Sequence, residues 1–271
     1  MTVHDGVGGG GAAVLEKIET FQNWQKDYYE PSALRHYDKA VARMIAAMNP
    51  SKGQPVLDAG CGTGVHSIRI AKLGHQVKAI DISNTALDES RRRAEAAGVI
   101  DKIDFELADV TNLHFPDASF ETIFSWGVLI HIPAFEKCLE EAARVLKPGG
   151  RVGFQMTNMT AWDHKLESIT RAIRGKGKLG TREKFGVGGY CETHKGPLYW
   201  FRTDFKAVEK KMNELGCKRI YRCASEFTEL QRRVGGPIRW GLRRANDIWY
   251  NLNLPAPPAC TNIYVFQKDA R

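Results

Sequence analysis

From Pro55 to Met156 the chain repeats one unit, a short apolar run, a turn and a helix-forming segment. Pro55-Val-Leu-Asp58 ends in an acid and leads into Gly60-Cys-Gly62-Thr-Gly64. A helical pattern with Ile68, Ile70, Ala71 and Leu73 follows and closes at Gly74. Gln76 to Ile80 is a second strand ending at Asp81, and Ser83 or Asn84 can cap a helix running to about Ala97. Ile103 to Leu107 alternates as a third strand ending near Asp109. Thr122 to Ser125 and Arg151 to Met156 read as the fourth and fifth strands, separated by a helix from Pro133 to Leu146 that Pro148-Gly149-Gly150 stops. Strands that alternate with helices pair in parallel, because each helix carries the chain back to the same edge. The pattern therefore predicts an α/β fold with a doubly wound, mostly parallel sheet.

At 271 residues, 43% apolar and 26% charged, the chain has ordinary globular composition and can bury a large core without disulfides. Residues 1–13, rich in glycine, read as a flexible arm, and 14–271 as a single domain. Within it, 14–48 form N-terminal lid helices, 50–157 the repeating core, and about 158–200 and 225–258 insert as caps. Thr203 can cap a helix to about Leu215, and 219–223 and 262–266 read as two further strands. The longest charge-free apolar run, Thr122 to Phe135, is shorter than the ~20 residues of a membrane span. The N-terminus is too polar for a secretory segment. The six cysteines form no CxxC pair, so reduced thiols, no metal site and a cytoplasmic protein are expected.

Gly60-x-Gly62-x-Gly64 after a strand lets the backbone turn sharply and approach a ligand closely. Val65 stands where the dinucleotide fingerprint GxGxxG needs glycine, and the Gly-Lys-Ser/Thr ending of a phosphate loop is missing. Asp58, Asp81 and Asp109 each end a strand, so all three project from one edge of the sheet, where open α/β sheets bind ligands. An acid about 20 residues past the glycines suits two ribose hydroxyls. Asp109 can accept from an exocyclic adenine amine, and Asp58 can orient the loop or hold a cationic amine.

VLDAGCGTG (56–64), AIDIS (79–83), ELADV (106–110), FPDASFETIFSWGVLIHI (115–132) and VLKPGGRV (145–152) resemble, in this order, the motifs of class I S-adenosylmethionine-dependent methyltransferases. The small-molecule branch is the most similar, and the match covers roughly 50–157. The resemblance implies a Rossmann-like, seven-stranded sheet with an antiparallel seventh strand and S-adenosyl-L-methionine as cofactor. Gly60, Gly62 and Gly64 would then pass its methionine part and Asp81 hold the ribose. Ile82 would pack on adenine, Asp109 with Val110 address the adenine edge, and Ser125 with Trp126 line the floor below the sulfonium. The chain departs from the family at Glu121, where an aspartate is usual.

Methyl transfer is an in-line displacement that needs an oriented acceptor and a dry site. A hydroxyl acceptor also gains from a base near neutrality, and His131, just past the fourth strand, is the candidate, with pocket shaping as its other reading. His164 reads as a surface residue. Strand four lacks the clustered acids that hold magnesium, the Asn/Asp-Pro-Pro-Tyr signature and a Pro-Cys pair. The acceptor expected is a small-molecule hydroxyl on a sugar or aromatic metabolite. Small-molecule N-methylation, RNA methylation and a cofactor-binding scaffold without catalysis stand as alternatives.

Substrate contacts are expected from Trp24, Tyr28, Tyr29, Tyr190 and His194, with Tyr37 as a further lid aromatic and residues around 185–194 as a flexible cap. The net charge of +8 is concentrated in Lys165 to Lys184, with seven cations against two glutamates, and in Gln231 to Arg244, with five arginines. Those stretches read as a solvated surface, as contacts to an anionic small acceptor, or as a nucleic-acid or membrane-surface face. The oligomeric state is open.

Overall fold

The computed structural model describes residues 31–193, 196–232 and 234–270. The N-terminal arm, the first part of the expected lid (14–30) with Trp24, Tyr28 and Tyr29, and His194 lie outside them.

The core is a seven-stranded sheet of β1 (Val56–Ala59), β2 (Val77–Asp81), β3 (Ile103–Leu107), β4 (Phe120–Trp126), β5 (Leu146–Thr157), β9 (Cys217–Glu226) and β10 (Thr261–Lys268). Its spatial order is β3-β2-β1-β4-β5-β10-β9. β1 pairs in parallel with both β2 and β4, so the strand order reverses there, and β10 lies antiparallel between β5 and β9. This is the doubly wound sheet with an antiparallel last strand that the motifs implied.

Alternation sorts the side chains to two cores. Val56, Phe124, Ile263 and Val265 face α1 (Pro31–Met48), α2 (Val65–Lys72) and α3 (Asn84–Ala96). Leu57, Ile123, Tyr264 and Phe266 face α4 (Phe135–Val145) and α6 (Phe205–Glu214). Gly153 lets α1 lie directly on β5, since a Cβ there would meet Met44 Cε at 2.6 Å and Met48 Sδ at 2.8 Å. Ser83 caps α3 by accepting from the Ala86 amide at 3.1 Å.

Three boundaries differ from the sequence reading. β5 starts at Leu146 because the Pro148-Gly149-Gly150 segment extends the strand, with a register break opposite Phe120 and Thr122. α6 is capped by Asp204 rather than Thr203, its carboxylate accepting from the Lys206 and Ala207 amides. The 158–200 cap is a regular unit: α5 (Trp162–Ile173) followed by the antiparallel strands β6 (Thr181–Glu183), β7 (Gly186–Thr193) and β8 (Gly196–Thr203). Phe135 of α4 packs against Phe185 and Phe201 at 5.6 and 5.2 Å between ring centres, fastening this small sheet over the end of β4. The second insertion contributes α7 (Gly236–Asn251). No helix among the described residues is long and apolar enough to cross a membrane.

Candidate functional site

The loop from Gly60 to Gly64 leaves the carboxyl end of β1, beside the reversal of strand order. Gly60 and Gly64 hold left-handed φ of 85° and 74°. A Cβ on Gly60 would fall 2.5 Å from Val128, and one on Gly64 2.8 Å from the Ser90 hydroxyl, so both glycines close the turn against its neighbours. Gly62 differs: its φ is 53°, and a Cβ there would meet nothing within 4 Å. The loop therefore presents a bare, open stretch of main chain in its middle, while Ser90 donates to the Gly62 carbonyl at 2.8 Å and holds it from below.

Asp81, at the end of β2, faces this loop. Its Oδ2 accepts from the Gly62 amide at 2.8 Å and its Oδ1 from the Ser83 amide at 3.0 Å. Each carboxylate oxygen has further lone-pair capacity for a ligand hydroxyl. Half-buried Ile82 follows it. Asp109 sits at the same edge after β3, buried, with Oδ1 accepting from the Thr111 amide and hydroxyl, both at 2.8 Å; half-buried Val110 lies between them.

Asp58 is fully enclosed, and its Oδ2 accepts from the Ser67 hydroxyl of α2 at 2.5 Å. Burial pushes its carboxyl up to about 7, the Ser67 bond opposes that shift, and the nearby Asp81 charge adds to it. The bond ties β1 to α2, which favours the loop-orienting reading of Asp58.

Ser125 and Trp126 end β4 with side chains committed to the interior. The Ser125 hydroxyl donates to the Ala59 carbonyl at 2.9 Å and binds β4 to β1. The Trp126 indole packs among His66, Tyr37 and Phe124, with ring centres 4.9, 6.0 and 6.1 Å away. Tyr37, read as a lid aromatic, is thus a buried core residue of α1, because its ring fills the space between α1 and α2. Glu121 lies at the opposite end of β4 from the loop and accepts from the Ser51 hydroxyl, so its departure from the family pattern is remote from the site.

His131 closes the short turn Leu129–His131 after β4. Its Nδ1 is 2.9 Å from the Tyr199 carbonyl of β8. A carbonyl only accepts, so Nδ1 carries the proton and the lone pair resides on Nε2. Burial lowers its pKa below the ordinary imidazole value, and the Tyr199 bond pulls weakly the other way. His131 is therefore neutral at pH 7 in the tautomer a general base requires. Tyr199 is fixed in turn by its hydroxyl on Glu183 at 2.8 Å. Tyr190, 57% exposed, lies edge-on to Tyr199 at 5.3 Å, beside the residue whose carbonyl meets His131.

Ser67, Ser90, Val128 and Glu183 support the site without any signal in the sequence pattern. Two cations of the first basic stretch are already paired, Arg182 with Asp204 at 2.6 Å and Lys184 with Glu136 at 2.7 Å.

A family model described as "Methyltransferase domain" matches residues 56–150. Methyltransferase GfsG of Streptomyces halstedii is 36% identical over 128 residues, which is 45% of this chain and 46% of that protein. The 27-O-demethylrifamycin SV methyltransferase of Amycolatopsis mediterranei is 34% identical over 151 residues, 55% of this chain and 56% of that protein. The chain thus spans about half the length of the curated relatives it matches. Among solved structures, the CcbJ methyltransferase of Streptomyces caelestis superposes with a TM-score of 0.62 at 16% identity, covering 95% of this chain and 98% of that one, a likeness of fold.

Proposed function

We propose that the chain, whose residues 56–150 match a methyltransferase domain, is a class I S-adenosylmethionine-dependent enzyme that transfers a methyl group to the hydroxyl of a small-molecule acceptor, with His131 as the base. The observation that carries this reading is the carboxyl edge of the sheet: open main chain at Gly62 faced by Asp81, with a neutral histidine held in base form one strand away.

The residues present fit the cofactor. A side chain at Gly62 would fill the cradle that its methionine part needs. Asp81 would hold the ribose hydroxyls, Asp109 and Val110 the adenine edge, Ile82 the adenine face, and Asp58 with Gly60 and Gly64 the shape of the loop. When bound, S-adenosylmethionine supplies a sulfonium methyl that is electrophilic without further activation. The chain's own work is to orient the acceptor, exclude water and take up a proton. Nε2 of His131 accepts the acceptor's hydroxyl proton, and the Tyr199 carbonyl stabilises the imidazolium through Nδ1–H. The small sheet β6–β8, clamped to α4, would shield the acceptor.

A sugar or aromatic hydroxyl is the acceptor class we favour. The name of the Amycolatopsis relative places its own methyl on an oxygen, in keeping with this choice. Arg182 and Lys184 each already pair with an acid of this chain, which reduces the charge that stretch offers an anionic polymer. Incubation with methyl-labelled cofactor and separate pools of hydroxylated metabolites, amines and RNA tests this reading. Label in the hydroxylated pool is expected. Label in RNA alone, with affinity falling steeply as salt rises, sinks it.

The cofactor site has its own test. Asp81→Ala is expected to weaken S-adenosylmethionine binding by about 1–3 kcal/mol in calorimetry, because hydrogen bonds to a charged acceptor and the Gly62 anchor are lost together. Unchanged affinity in a folded variant overturns the ribose assignment.

A further inference from the structure

Past the loop and the His131 turn, at the β5–β10–β9 end of the same sheet edge, three metal-ligating side chains meet that methyl transfer leaves unused. Asp163 and His164 open α5, and Cys260 enters β10. One ligand atom from each lies within 4.8 Å of the other two. All three are buried, Cys260 completely. This corrects the expectation of a surface His164 and of no metal-ligating cluster: the ring lies under Asn158 and against Cys260, which is 96 residues away and so leaves no short spacing in the sequence.

The arrangement is that of ligands held by outer partners. His164 Nδ1 is 2.7 Å from the Asn158 carbonyl, so Nδ1 donates and Nε2 turns its lone pair inward. Nε2 is 3.5 Å from Cys260 Sγ. Zinc bonds of about 2.3 Å to sulfur and 2.0–2.1 Å to nitrogen, set at the tetrahedral angle, hold those two atoms about 3.6 Å apart. The Asp163 carboxylate is oriented by the His164 amide at 2.9 Å and by the Thr228 hydroxyl and Glu229 amide, both at 3.1 Å. Asn246 of α7 in turn bonds the Thr228 amide at 2.9 Å and its carbonyl at 3.1 Å. Three of the carboxylate's roughly four lone-pair positions are thus engaged, which leaves capacity for one more bond.

We propose that Asp163, His164 and Cys260 bind a zinc ion, with a fourth position for water or a ligand. Thiolate with imidazole selects zinc over magnesium or calcium, which take oxygen donors. On binding, the thiol proton leaves to solvent. The resulting set of thiolate, carboxylate and neutral imidazole balances the two positive charges, so the buried site carries no net charge. The site lies at the end of β5 and the start of β10, on the sheet edge that carries the glycine loop and the His131 turn. The proposal does not depend on methyl transfer.

The test uses the full-length chain, stripped with a chelator and reloaded with zinc or cobalt. About one zinc per chain is expected to survive desalting, and the cobalt form is expected to show near-ultraviolet thiolate-to-metal absorption. Cys260→Ser, nearly isosteric, should abolish that absorption and weaken zinc binding beyond the ~10–100-fold typical of lost outer partners. His164→Ala should also release the metal, whereas Cys191→Ser, at an exposed thiol, should change nothing. Folded wild-type protein that retains no zinc overturns the proposal, as does thiolate absorption that survives Cys260→Ser.

Discussion

Replacing His131 with alanine will slow turnover about 10²-fold or more and leave S-adenosylmethionine affinity unchanged. The size follows from the role. A hydroxyl attacking without a partner for its proton must expel that proton to water in the transition state, and a positioned base contributes ~10²–10⁴-fold. The cofactor term stays constant because none of the side-chain bonds shaping the loop, from Ser67, Asp81, Ser83 and Ser90, involves His131. The pH profile supplies a second signature. Only neutral His131 can accept a proton, and burial holds its pKa below the ordinary value of 6.5. Wild-type kcat/KM should therefore rise through an inflection on the acid side of that value and stay flat across neutrality, and the alanine variant should lack the inflection. A loss below ~10-fold with the acid inflection retained would reduce His131 to a wall of the pocket. The tautomer also predicts which neighbour matters. A change in β8 that moves the Tyr199 carbonyl would break the Nδ1 bond and release the ring.

The fold could be read from the sequence because its determinants are local and periodic. Runs such as Val56–Asp58, buried on both faces, and Val77–Asp81, buried but for half-exposed Lys78 and Asp81, carry acids at the edge, and Ser83 starts α3 by the capping bond its residue type allows. The open position at Gly62 and the bond its amide donates to Asp81 follow from a turn of fixed geometry that leaves β1 beside the end of the adjacent β2. What escaped was set by tertiary contact. Tyr37 is an aromatic of the kind that lines pockets, yet α1 and α2 close around it, and only packing decides between those uses. The three-stranded cap has many glycines and short strands, so its pairing rests on register rather than period. Asp163, His164 and Cys260 come together only because β10 returns antiparallel to β5, bringing its first residues to the segment that follows Thr157.

Asp58 will contribute a fall in stability as pH rises from about 4 to about 7, and Asp58→Asn will remove that contribution. Asp58 has a folded pKa of about 7 against 3.8 for an unperturbed aspartate. For an acid raised in the folded state, the native form holds the extra proton between those two values, so unfolding releases it and becomes easier with each unit of pH. The full penalty is about 4 kcal/mol, reached above pH 7, and about 3 kcal/mol of it falls between pH 5 and pH 8. Asparagine keeps an oxygen that can accept from Ser67 and has no charge to desolvate. Denaturant unfolding of both proteins at the two pH values isolates the term, since every other titrating group is common to both. The difference between variant and wild type should widen in favour of the variant at high pH. A parallel pair of curves would show that Asp58 titrates normally. The same charge links stability to function: a ligand cation near the loop would offset the buried carboxylate, so S-adenosylmethionine should stabilise the wild type more at pH 8 than at pH 5. In Asp58→Asn that pH dependence should vanish, which separates a carboxylate that senses the ligand's charge from one that only braces α2.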